Sequence, residues 1–164
     1  MSILSKAIAS PGAPSAIPAG PRPIELPYVR VLYTGPHVVP AVAIRFVHPT
    51  TGELSDPVNA LIDTGNDETA FPMDWFVSLD IDLSACEDRP TYTGGGTLHG
   101  ASVDMPKRLP TGLDAEVVGR RIHLPTVVFS PTLEHPVLLG RDFLAHFRIT
   151  VDQRHRRLWL TPND

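Results

Sequence analysis

One carboxylate stands out by where the chain puts it. In Ala60-Leu61-Ile62-Asp63-Thr64-Gly65-Asn66-Asp67-Glu68-Thr69-Ala70-Phe71-Pro72, a run of apolar residues delivers Asp63 into a turn built from Thr and Gly. A strand end is rigid, Gly65 permits close backbone approach, and the Thr64 hydroxyl can lock the loop. A carboxylate held this way is equipped for general acid or base work. The bland alternative is a turn aspartate that follows a strand.

A second segment lies well downstream: Val137-Leu138-Leu139-Gly140-Arg141-Asp142-Phe143-Leu144. There an apolar run ends in glycine and is followed by a charged pair, with Phe143, Leu144 and Phe147 at helical spacing. Between the two segments lies Thr91-Tyr92-Thr93-Gly94-Gly95-Gly96-Thr97-Leu98, whose glycine triplet reads on composition as a flexible loop.

The elements that position these residues read as short strands. Ala41 to Phe46 alternates, with Val42, Ile44 and Phe46 on one face. His48-Pro49-Thr50-Thr51-Gly52-Glu53 is turn chemistry, and Val58 to Ile62 returns, so residues 41–62 form a β-hairpin. Asp74 to Leu79 supplies one or two helical turns. Ala115 to Val118, Arg121 to Leu124, Val127 to Phe129, Ile149 to Asp152 and Leu158 to Leu160 are further strands, and Arg141 to His146 is a short helix. Met105 to Gly112, with Pro106 and Pro110, reads as an inserted loop. Such a pattern predicts a small, mostly-β domain.

The two end motifs, in this order and with these apolar flanks, resemble the retropepsin family of aspartic peptidases over roughly Ala41 to Leu160. The resemblance implies an all-β, closed barrel-like acid-protease lobe with one or two short helices, active as a homodimer on a peptide or protein substrate without a cofactor or metal. It implies that Asp63 is the catalytic aspartate, that Thr64 bonds across the dimer, and that Gly65 lies along the substrate. Asp67 and Arg141 would pair to brace the loop, with Asp142 beside them, and Gly94, Gly95 and Gly96 would form the tip of a flap closing over substrate. Asn66 departs from the usual alanine or serine, and Asp142 replaces the asparagine of retroviral members. The chain holds one Asp-Thr-Gly and no Asp-Ser-Gly. The second carboxylate that this chemistry needs must then come from another copy, with Arg156 to Leu160 as a candidate contact. A non-catalytic dimer of the same fold that binds peptide or protein is the rival reading.

Composition narrows the rest. With 164 residues, the chain suffices for one domain with a real core. Residues 1–27 are rich in Pro, Ala, Gly and Ser and read as a flexible arm, leaving residues 28–162 as the folded domain. A net charge of -4 argues against nucleic-acid binding. No apolar run approaches the length of a membrane helix and no secretory signal opens the chain, so the expected location is cytoplasmic. Cys86 is the only cysteine and so forms no intrachain disulfide. The histidines His37, His48, His99, His123, His135, His146 and His155 are scattered without the spacing of a metal site.

Overall fold

Alternation in Ala41–Phe46 is realised as a strand whose Val42, Ile44 and Phe46 are buried while Ala43 faces out. The computed structural model that shows this describes residues 21–30, 38–89, 91–93, 96–98, 105–133 and 136–163. Its strands are β1 (Ile24–Pro27), β2 (Val29–Arg30), β3 (Val38–Val39), β4 (Ala41–Phe46), β5 (Val58–Ile62), β6 (Thr69–Pro72), β7 (Glu87–Asp88), β8 (Thr91–Thr93) and β9 (Gly96–Leu98). They continue with β10 (Lys107–Leu109), β11 (Leu113–Val117), β12 (Arg120–Leu124), β13 (Val127–Ser130), β14 (Leu138–Leu139), β15 (Phe147–Asp152) and β16 (Arg157–Pro162). Two short helices, α1 (Trp75–Ser78) and α2 (Arg141–Leu144), complete the mostly-β fold.

The hairpin read at residues 41–62 forms, with β4 and β5 antiparallel in the register Ala41↔Leu61 to Ile44↔Val58. It belongs to a nine-stranded sheet of order β12-β11-β4-β5-β14-β6-β13-β10-β7. Against the sequence-based expectation, this sheet is not a closed barrel. Its edges are a two-residue strand of exposed Glu87 and Asp88, and β12 with exposed Arg120, Arg121 and His123. Short, charged edges discourage the strand pairing that closure requires.

Two further boundaries differ from the sequence reading. Ile24–Pro27, assigned there to the arm, pair antiparallel with β16 in a three-stranded sheet of order β1-β16-β15. Pro27 is tolerated because β1 is an edge strand that presents its ladder groups to one neighbour only. Lys107–Leu109, read as part of an inserted loop, form a strand between β13 and β7. The flanking Pro106 and Pro110 hid a strand only three residues long.

An aromatic cluster fills the core. Phe71 meets Phe46 edge-on at 4.7 Å and stacks on Phe129 at 5.2 Å, and Phe76 stacks on Phe129 at 4.2 Å. These rings each bury a large apolar area, and their offset and edge geometries add to it.

What positions Asp63 is a crossing of the two motifs. Strand β14 lies between β5 and β6, parallel to the first (Leu138↔Leu61) and antiparallel to the second (Leu138↔Ala70). Strands β5 and β6 are the two that the Asp63 loop connects, so the second motif is wedged beneath that loop. Gly140 makes this fit possible: a Cβ there would lie 2.6 Å from the carbonyl of Glu68. Beyond it the Asp142 carboxylate accepts from the Thr69 amide at 2.9 Å, the Thr69 hydroxyl at 3.0 Å and the Phe143 amide at 2.8 Å.

Burial is the largest influence on the Asp142 carboxyl and pushes its pKa up, against the hydrogen bonds from Thr69 and Phe143 that pull it down. Between the ordinary aspartate value of ~3.9 and the raised one, the folded state keeps a proton that the unfolded chain has released. Stability from this group is therefore present at acid pH and lost as pH rises through the raised value. Asp142→Asn, which cannot titrate, should gain on the wild type over that window, as read from urea midpoints. Asp142→Ala should cost about 2–3 kcal/mol at any pH by stranding the Thr69 and Phe143 donors. An alanine variant as stable as the wild type would remove Asp142 from the crossing.

Candidate active site

Asp63 follows the last residue of β5, and its amide donates to the Leu139 carbonyl at 2.9 Å, so its backbone is fixed by the second motif. The Leu61 amide donates in the same way to Val137 at 2.8 Å. The loop then turns back on its own carboxylate. Oδ1 of Asp63 accepts from the Gly65 amide at 2.9 Å, and Oδ2 accepts from the Asn66 side-chain amide at 3.0 Å. Both oxygens are thereby oriented, although the side chain remains half-buried.

Thr64 and Gly65 are exposed at the loop tip. Among the described residues the Thr64 hydroxyl has no partner within its own chain. The loop returns to the second motif through its backbone: the Arg141 amide donates to Asn66 at 2.9 Å and the Asp142 amide to Asp67 at 3.2 Å. Asp67 and Arg141 also form an ion pair, but their side chains are 63% and 65% exposed. Exposed pairs contribute about 0–1 kcal/mol, so the backbone bonds and Asp142 hold the loop more firmly than this pair does.

Sequence reasoning missed the role of Asn66, which it noted only as a departure. Its amide is the sole side chain that hydrogen bonds Asp63 among the described residues. It also missed Glu68, whose side chain is 14% exposed. Glu68 Oε1 accepts from Arg108 Nε and from the Thr126 hydroxyl, each at 3.0 Å, and Oε2 pairs with Arg89. No local pattern marks this cluster, since its members come from four separate segments.

These residues border a cleft of about 350 Å³ that runs from Gly65 and Asn66 past Glu68 and Arg89 to Ser130 and Thr132. Ala70, Val128, Leu133 and Leu138 form its apolar lining. Of the glycines read as a flap, Gly96 opens β9, which pairs with β8 through Thr93↔Gly96. Gly94 and Gly95 lie outside the described residues.

Burial, then the nearby Asp82, pushes the Cys86 thiol pKa up, which is unfavourable for a thiolate nucleophile. Among the described residues no group of three His, Cys, Asp or Glu side chains could hold a metal ion, and no helix is long and apolar enough to cross a membrane.

No protein-family model matches the sequence, and no curated protein matches it. Solved structures do. A retropepsin-like aspartic protease from Rickettsia conorii superposes with a TM-score of 0.52 and 17% identity, covering 87% of this chain and 94% of that one. The protease of EIAV gives 0.44 and 18% identity over 70% of this chain and 92% of its own. The retroviral protease-like domain of Ddi1 from Leishmania major gives 0.45 and 14% identity over 76% and 93%. The first of these likenesses, spanning nearly the whole of both chains, establishes that this chain has the retropepsin-like aspartic protease fold.

Proposed function

We propose that the protein is an aspartic endopeptidase, with Asp63 contributed by each of two copies. The observation that carries this reading is the Asp63 carboxylate itself, oriented at both oxygens on a loop that the second motif locks from beneath. Two such carboxylates a few ångströms apart cannot both ionise and share one proton, as in aspartic proteases generally. The ionised one takes a proton from water as it attacks the peptide carbonyl. The protonated one polarises that carbonyl and donates as the tetrahedral intermediate forms; the proton taken from water then passes to the leaving amine as the C–N bond breaks. No cofactor enters this chemistry. In this reading the exposed Thr64 hydroxyl bonds across the two-fold axis, and the cleft beside Gly65 takes a substrate side chain.

The edges of the sheets support pairing through β15, a refinement of the sequence reading, which pointed to Arg156–Leu160. Strand β16 has neighbours on both sides, β1 and β15, so its ladder groups are already used. By contrast β15 is a six-residue edge, Phe-Arg-Ile-Thr-Val-Asp, without proline or glycine. The Asn163 amide donates to His146 at 2.9 Å, and antiparallel alternation from that pair turns Ile149 and Val151 ladder groups away from β16. The apolar face also stays open towards this edge: Leu158 and Leu160 are fully buried, whereas Val151, opposite Leu158, is 48% exposed. An antiparallel edge is self-complementary, so a second copy of β15 satisfies it.

Two measurements test the proposal. Wild-type protein at high concentration should cut members of a mixed peptide library, read by mass spectrometry across acid to neutral pH. Asp63→Asn should lower kcat/KM by at least about 10²–10⁴-fold. Folded, dimeric protein that cuts nothing would favour a peptide-binding role instead. Separately, Val151→Pro removes an N–H that β16 does not use, so the protomer should keep its fold, as read by circular dichroism, yet sediment as a monomer and lose activity. A dimer that survives this substitution places the interface elsewhere.

A further inference from the structure

The cleft beside the Asp63 loop carries an uneven set of charges. Glu68 is its most enclosed carboxylate, and two guanidinium groups converge on it, Arg89 at Oε2 and Arg108 at Oε1. Thr126 donates to Oε1 as well, so the acceptor capacity of Glu68 is committed to the protein. Arg89 is in the opposite position. Guanidinium carries five N–H donors, and among the described residues the Arg89 side chain is engaged only by Glu68. Its backbone is pinned by donation to the Pro106 carbonyl at 2.9 Å, its Nη1 is buried on the Glu68 side, and the residue, its side chain 37% exposed, lines the cleft together with Ser130 and Thr132.

The remaining charges do not balance this excess. Asp67 also lines the cleft, but it is paired with Arg141. Glu87 reaches Arg108 only at 3.7 Å with its side chain 63% exposed, where water screens it. Burial, and then the neighbouring Arg108 cation, disfavours the charge on Arg89. A carboxylate arriving from a ligand can accept from the Arg89 donors that Glu68 leaves unused, and so offsets that penalty.

We infer that Arg89 is a specificity residue, and that the cleft selects a peptide with an aspartate or glutamate side chain close to the scissile bond. This rests on the peptidase reading for its place beside the cut, though not for the binding itself. The apolar floor of Ala70, Val128 and Leu138 receives the methylenes of the side chain, and the Arg89 fork its carboxylate. A basic side chain would have to compete with Arg89 and Arg108 for Glu68.

The test uses the full-length protein and a peptide series identical except for Glu, Gln, Leu or Lys at each position flanking the cut. At one position on each side of the cut Glu should exceed Lys by about ten-fold or more in kcat/KM, mostly through KM. Arg89→Ala should flatten that preference, and Arg89→Glu should reverse it towards Lys. Melting curves establish that both variants fold; if the glutamate variant does not, the alanine variant decides. Cleavage without charge preference, a preference for Lys, or a Glu preference that survives Arg89→Ala would each overturn the assignment and leave the peptidase intact. Binding of the same peptides to Asp63→Asn protein, followed by fluorescence anisotropy, separates the two proposals. Arg89-dependent selection of the Glu peptide without cleavage by the wild type would sink the peptidase reading alone. Neither cleavage nor charge-selective binding would overturn both.

Discussion

The Asp142 carboxylate satisfies the amide and hydroxyl of Thr69, and the two residues stand 73 positions apart in sequence. A partly buried carboxylate is expensive unless its acceptor sites are filled, and an unfilled amide donor in the same place is expensive too. Each therefore requires the other. Their meeting forces β14 between β5 and β6, and that crossing supports the Asp63 loop from below. The close approach of Gly140 to Glu68 extends the constraint to the next residue of the loop and so to the cleft. Geometry at the candidate catalytic carboxylate and at the side-chain cleft is thus set by one arrangement.

Charge has a different weight at different depths in this molecule. The exposed Asp67–Arg141 pair sits in high dielectric and holds little energy, whereas the enclosed Glu68 interacts strongly with whatever faces it. One carboxylate shared by two guanidiniums is a compromise in which neither cation is fully neutralised. Such a cluster is stable within the fold and still has attraction left for a ligand.

How much of this could be read from the sequence depends on the range of the interactions. Asp63-Thr64-Gly65 and Leu138-Leu139-Gly140-Arg141-Asp142 were legible because each is a contiguous run whose apolar flank and glycine announce a strand end. The hairpin of β4 and β5 was legible because alternation has a period of two. The cluster of Glu68, Arg89, Arg108 and Thr126 was not, since Arg108 and Thr126 lie 40 and 58 residues from Glu68 and no local pattern ties them. Strand β10 was hidden by the prolines on either side of three residues, and β1 by a proline-rich context that an edge strand tolerates. Barrel closure is a property of how two distant edges compare, and the charges on β7 and β12 gained their meaning only once those strands proved to be the edges.

Symmetry gives the Arg89 cleft one last consequence. A two-fold assembly builds both halves of its channel from the same sequence, but a peptide has a direction and no such axis. Residues on the two sides of the bond to be cut would meet the same cleft from opposite ends. Acceptable sequences would then be roughly palindromic in charge, with an acidic side chain favoured on each flank. In the proposed dimer a single substitution in the chain would alter both flanks at once. Only a duplicated gene, free to vary its two copies separately, could read the two ends of a substrate in different ways.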